Sequence, residues 1–245
     1  MKVKRSKEME RKVLDKIKEH LARAPRSLDK WHVSDLLYPR KAVAGRLDPK
    51  PMTDLQALYF IAGRAHHGIL EACLGKWDKE AQAKYKEEHA RADAGEFEKH
   101  GIYYSPDMRM PYPWEIKTSR SEYEIKDFGK GAAEGYLKQL NQYQACMEDD
   151  KGGLLVFFLG LKEGFRKIPA LRFYKVIVSA AERAAKIKWM KQTADDMTAA
   201  QKSKKFEKLP LCPKYMCGDC PWYKGLCKPW KTDPKRAGLQ EENEE

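Results

Sequence analysis

An unbroken apolar run at 154–159 (LLVFFL) constrains the fold of this chain more than any other stretch. Polar–apolar alternation marks a strand with one wet face, whereas a short continuous run marks a strand buried on both. Such a strand needs layers above and below it. Residues 171–178 offer a neighbouring strand, and several segments offer covering helices. Residues 5–22 carry Val13, Ile17 and Leu21 on one stripe of a basic helix, which Pro25 ends. In the mixed stretch 31–46, Ser34 is placed to cap a short helix before Pro39. Residues 54–75 form a stronger helix that stops near Gly75, and a charge-rich helix spans about 77–98.

The pattern then changes. Ile102, Tyr103 and Tyr104 favour a strand within 101–110; Pro111 and Pro113 turn the chain, and 114–118 returns as a second strand. Helices are expected again at 131–149, with Leu137, Leu140, Tyr143 and Met147 on one side, and at 179–206. There is no internal repeat. This order predicts an α/β sandwich around a small mixed sheet. The chain divides into a basic N-terminal helix (1–30), a main domain (31–206), a four-cysteine lobe (207–231) and an acidic, disordered tail (232–245).

The charge balance narrows the partners. Lys and Arg outnumber Asp and Glu 48 to 36, a net charge of +12, which draws a protein towards polyanions such as nucleic acid. No apolar run approaches the roughly 20 residues of a membrane span. The start, MKVKRSKEMERK, lacks the apolar core of a signal peptide, so a reducing cytoplasm is expected. Four of the six cysteines lie within 212–227. Crowding of that kind in a reducing compartment points to metal ligands rather than disulfides.

Three constellations carry chemistry. The first is Asp107 followed by Glu115 and Lys117. Residues two apart on a strand share a face. Paired carboxylates suit a hard divalent cation, and a neighbouring lysine can orient a water and offset negative charge. Glu-x-Lys also occurs at Glu10/Lys12 and Glu124/Lys126, but only Glu115 has an upstream Asp and flanking strand signals. The alternative is a cross-strand salt bridge. The second is the pair His66 and His67. Leu55, Leu58, Tyr59, Ala62, Ile69, Leu70 and Cys73 form one apolar stripe with His66 in its middle, which predicts a packed His66. His67 sits about 100° away, beside Glu71, on a metal-facing edge. The third is Gln139 and Tyr143, which share a helix face and can donate to phosphate oxygens, unless Tyr143 is simply core.

The cysteines are spaced Cys212-x4-Cys217-x2-Cys220-x6-Cys227. Four thiolates in sixteen residues can close round one metal centre. A single C-x-x-C is less typical of zinc ribbons, and the match of the first three to plant-type ferredoxin spacing is coincidental. Cys73 and Cys146 read as small core residues. Trp222, Tyr223 and Trp230 are placed either to stack on bases or to shield the centre.

In order, GRAHHGILE (63–71), PD (106–107), EIKT (115–118) and QLNQY (139–143) resemble the RecB-like branch of the PD-(D/E)XK nuclease superfamily. The resemblance runs from about Ser34 to Cys227. It implies a restriction-endonuclease-like core and a DNA nuclease needing Mg2+ or Mn2+. It implies metal binding at His67, Asp107, Glu115 and Ile116, catalysis by Asp107, Glu115 and Lys117, and DNA contact by Gln139 and Tyr143. Within that branch the chain looks most like the iron–sulfur exonucleases, the CRISPR-associated adaptation nucleases and their phage relatives. These act on single-stranded or end-exposed DNA in prokaryotic or phage-infected cells. They usually place one cluster cysteine in a segment similar to VSDLLYPRK (33–41) and three near the C-terminus. Here Tyr38 stands at that first position, and Cys212 is expected to complete the set. The resemblance favours a 4Fe–4S cluster, with Zn2+ as the alternative. The rival readings are a non-catalytic, zinc-stabilised nucleic-acid-binding module, and a nuclease subunit active only with protein partners in recombination or CRISPR adaptation.

Overall fold

The computed structural model describes residues 7–21, 30–74, 87, 97–109, 111–121, 125, 131–163, 165–206, 208–213, 216–217, 220–223, 225–228 and 233. Its centre is a three-stranded sheet of order β4-β5-β6, formed by β4 (Trp114–Ser119), β5 (Lys151–Glu163) and β6 (Arg166–Ile177). The LLVFFL run lies in β5, between parallel β4 and antiparallel β6. The α4 helix (Gly131–Met147) connects β4 to its parallel neighbour and covers one face of the sheet. A parallel pair requires such a crossover. Leu140 of α4 and Leu154, Val156 and Phe158 of β5 form the packed layer between them.

A second, smaller sheet has order β1-β3-β2: β1 (Trp31–His32), β2 (Glu98–Lys99) and β3 (Ile102–Tyr103). Its hairpin turns at His100 and Gly101, both with positive φ, 59° and 76°. This is the backbone of a two-residue hairpin turn that twists with its strands. The largest core cluster joins this sheet, α2 (Pro39–Leu47), α4 and α5 (Ala180–Ser203) through Trp31, Leu36, Val43, Tyr143, Cys146, Met190 and Met197. Ser179 and Glu182 build a reciprocal capping box at the start of α5. The architecture of the described residues is therefore mixed α/β, with two small sheets flanked by helices.

Several expectations are corrected. Pro39 begins a helix rather than following one, because its missing N–H is harmless in the first turn. Ser34 precedes only a 3-10 turn (Asp35–Leu37) and makes no side-chain cap hydrogen bond. The strand expected within 101–110 shrinks to Ile102–Tyr103, and Glu98, expected to end the preceding helix, pairs instead as strand with Lys99 beside it. Among the described residues β3 and β4 do not pair: they lie in different sheets, and near Asp107 an isolated bridge joins Met108 to Trp114. Asp107 therefore sits in a bend, not on a strand.

The stripe predicted to bury α3 (Asp54–Leu74) is mostly in water. Leu55, Leu58, Tyr59 and Ile69 are 46–63% exposed, whereas Ala57 is fully buried. The α1 helix (Lys7–Leu21) packs beside α3, where Arg11 and Lys18 both pair with Asp54. Apart from Glu87, Phe97 and Glu98, the expected 77–98 helix lies outside the described residues, as do the Glu124/Lys126 motif, Trp230 and the acidic tail other than Asp233.

Candidate functional site

Strand alternation settles which way the β4 side chains point. Glu115 pairs in register with Leu154 and Lys117 with Val156, and both partners belong to the layer beneath α4. Glu115 and Lys117 therefore face α4. Between them Ile116 faces the opposite side, packed with Met108 and Leu155, so only its backbone is available to the site. Glu115 is fully buried. A carboxylate in that position is costly unless paired, and Lys117 ion-pairs with it.

Asp107 reaches the same place from its bend. Its Oδ2 accepts the Ile116 backbone N–H at 2.7 Å. Burial opposes the Lys117 ammonium, but the charges of Glu115 and Asp107 outweigh that and push its pKa up to about 12. Burial first, and then the same two carboxylates, raises the Tyr143 phenol well above its ordinary value. Tyr143 thus remains a neutral hydroxyl, accepting a hydrogen bond from Gln139 Nε2 at 2.9 Å.

Five predicted residues, Asp107, Glu115, Lys117, Gln139 and Tyr143, are thereby brought together. Tyr143 is also core, so both readings of it hold at once: its ring is packed and its hydroxyl faces the charges. Sequence reasoning missed Tyr136, whose ring centroid lies 5.9 Å from Lys117 Nζ. It is one turn before Gln139, and following that face backwards would have found it.

His66 is not packed in a core. It is half-exposed, with Nδ1 2.7 Å from the Ala62 carbonyl and its ring 5.2 Å from Phe157. The side chains of His67, Glu71 and Cys73 lie outside the described residues.

The four clustered cysteines, none of them in a disulfide, line one pocket together with Arg40, Lys41 and Ala44 of α2. Successive tight turns bring them there: Cys220 N–H donates to the Cys217 carbonyl, Tyr223 N–H to that of Cys220, and Cys227 N–H to that of Trp222. The sulfurs interact electrostatically. Burial raises Cys212 to about 11, and the other three thiols add to this. Backbone groups of Trp222 and Tyr223 hydrogen-bond Cys220, and Lys41 does so to Cys212. Cys146 is a buried core residue, as expected.

Trp222 and Tyr223 do not stand ready to stack on bases. The Trp222 indole N–H donates to the Asp48 carbonyl at 2.8 Å, its ring lies over Gly45, and Tyr223 is buried. These contacts fasten the lobe to α2.

Among the described residues no three His, Cys, Asp or Glu side chains are gathered closely enough to hold a metal ion. The donor chemistry nevertheless suits metals in both places. Paired carboxylates beside a lysine match a hard divalent cation, and four thiols lining one pocket, with backbone hydrogen bonds to Cys212 and Cys220, match a thiolate-bound centre. No described helix is long and apolar enough to cross a membrane.

No protein-family model matches the chain, and no curated protein matches it. Among solved structures it is similar to the crystal structure of SSO0001. The two share 20% identity and a TM-score of 0.54, over 90% of this chain and 96% of that one. At that identity the likeness bears on the fold alone, and it supports a mixed α/β architecture along nearly the whole chain.

Proposed function

We propose that this chain is a metal-dependent DNA nuclease with a RecB-like PD-(D/E)XK core. The observation that carries the reading is the buried Glu115–Lys117 ion pair under α4, with Asp107 and Tyr143 within electrostatic reach of it. A salt bridge serving only stability would need neither the second carboxylate nor the phenol.

Asp107, Glu115 and the backbone at Ile116 would hold Mg2+ or Mn2+, with His67 as the expected further ligand; such a cation, when bound, would supply polarisation of the phosphodiester and activation of water. Lys117, kept charged by its two carboxylates, orients the attacking water and offsets charge on the phosphate. Tyr143 holds Gln139 in position, and Gln139 donates towards the DNA backbone. The net charge of +12 supplies sequence-independent attraction to that backbone. The β4-α4-β5 crossover carries Glu115, Lys117, Gln139 and Tyr143, and Asp107 joins them from its bend. Cys212, Cys217, Cys220 and Cys227 would hold a 4Fe–4S cluster or, alternatively, Zn2+. The substrate class is single-stranded or end-exposed DNA; a subunit active only with protein partners in recombination or CRISPR adaptation is the rival reading.

The test is incubation of anaerobically purified protein with labelled single- and double-stranded DNA, with and without Mn2+. Cleavage only with the metal supports the proposal. Metal-independent binding without cleavage favours the non-catalytic module.

A further inference from the structure

The β5–β6 hairpin runs on past the strand that anchors it. β4 keeps register with β5 only as far as Ser119 and Phe158, whereas β5 and β6 continue together to Glu163 and Arg166. Leu161 holds the root, buried with Leu140, Val156 and Phe158. Beyond it Lys162, Glu163, Arg166 and Lys167 are all exposed. Phe165 at the tip is 106% exposed, so no described side chain covers it. Lys162 and Lys167 stand directly opposite each other across the two strands, an arrangement of like charges that is destabilising. Glu163 is directed to Arg172, 3.7 Å away. From the tip, β6 carries Lys167, Leu171, Phe173 and Lys175 along its exposed face, while Tyr174 and Val176 turn towards α4. The Trp114 ring lies 4.7 Å from that of Phe173. Folding stability accounts for neither the bare phenyl ring nor the opposed lysines.

We propose that the hairpin tip is a nucleic-acid contact: Phe165 stacks on an unpaired base of the substrate strand, while Lys162, Arg166 and Lys167 hold its phosphates. This rests on reading the chain as a DNA nuclease, and it adds a second place at which the strand is held. An aromatic face accepts any base, so the contact is tolerant of sequence. A phosphate drawn between the opposed lysines relieves their repulsion, so binding recovers what the free hairpin loses. Rings and cations alternate along β6 behind the tip, which suits a chain of bases and phosphates better than a lipid surface. By register Lys117 lies opposite Val156, seven residues before Glu163, a separation of about 20–25 Å along the strand. The tip therefore grips the strand well away from the Asp107–Glu115–Lys117 cluster.

The test uses the full chain in EDTA, which withholds the divalent cation, and follows the fluorescence anisotropy of a labelled oligothymidylate. Phe165→Ala should weaken binding about 5–100-fold, the scale of one base–aromatic stack, and Phe165→Trp should keep most of the affinity. Lys162→Ala and Lys167→Ala should each flatten the slope of log K against log salt by about 0.7, the share of one phosphate on a single strand. None of these changes should lower Tm, because the side chains are exposed, and Lys162→Ala should raise it slightly by removing an opposed charge. Wild-type affinity in Phe165→Ala, with wild-type salt slopes in both lysine variants, would overturn the proposal, and so would a wild type that does not bind the oligonucleotide. Loss in Phe165→Ala of binding to phosphatidylcholine vesicles containing about one-third phosphatidylserine, with oligonucleotide affinity unchanged, would assign the tip to a membrane and overturn it equally. Tip-dependent oligonucleotide binding by a chain that never cleaves DNA in Mn2+ upholds the contact and sinks the nuclease reading instead, so the two failures are distinguishable.

Discussion

Asp107 and Ile116 are nine residues apart, with Pro111 and Pro113 between them, yet Asp107 Oδ2 accepts the Ile116 N–H at 2.7 Å. This bond pins a carboxylate from a bend against the strand that carries Glu115 and Lys117. Asp107→Ala removes the acceptor and should destabilise the protein by about 1.5–3 kcal/mol, the range for a hydrogen bond to a charged group. Asp107→Asn keeps an oxygen there and should lose much less. Urea denaturation of both variants checks the difference.

Removing Lys117 strands the buried Glu115 charge. Lys117→Met should cost about 3 kcal/mol, the lower end for a broken buried pair, because Lys117 itself is 26% exposed. Adding Glu115→Gln should recover part of that loss. A double variant less stable than Lys117→Met, by urea denaturation, would show that the pair is not the reason for the loss.

Gly152, the second residue of the central strand, sits where a side chain does not fit. A Cβ there would lie 2.9 Å from the Gln144 side chain and 3.1 Å from Leu140. Gly152→Ala should cost about 1–3 kcal/mol by overpacking, read as a lower Tm.

Ser179 caps α5 by accepting the Glu182 N–H, and Ser179→Ala should cost about 1 kcal/mol. Hydrogen bonds from the Ser179 backbone and side chain hold the Glu182 carboxylate below its ordinary pKa. Its contribution is therefore present above the unfolded carboxylate pKa and fades as pH falls through the lowered folded value. The Tm gap between wild type and Glu182→Gln should narrow on acidification through that range.

Much of the layout was legible because local pattern and tertiary demand agree. The apolar run of β5, the face of α4 bearing Leu140 and Tyr143, and the spacing of Glu115 and Lys117 all lie where periodicity puts them. The errors have physical causes. The α3 stripe has helical period, but periodicity says nothing about whether another layer reaches it, and Leu55, Leu58 and Ile69 remain exposed. Trp222 stayed open between stacking on bases and shielding the centre, because its type and position cannot reveal that Asp48, 174 residues earlier, accepts its N–H. Pro39 reads equally as a helix stop and a helix start. Arg40 of the cysteine pocket went unnoticed because Leu209 and Cys227, among its partners, are remote in sequence.

The central claim concerns hydrolysis at the Asp107–Glu115–Lys117 cluster. Its most direct test is the single-turnover rate of labelled DNA cleavage in Mn2+, for wild type, Asp107→Asn and Lys117→Met, with DNA affinity measured alongside. Metal-dependent cleavage by wild type should fall at least about 10²-fold in each variant, the scale of losing one charge-stabilising group, while DNA affinity stays within a few-fold. Wild-type rates in folded Asp107→Asn and Lys117→Met would contradict it.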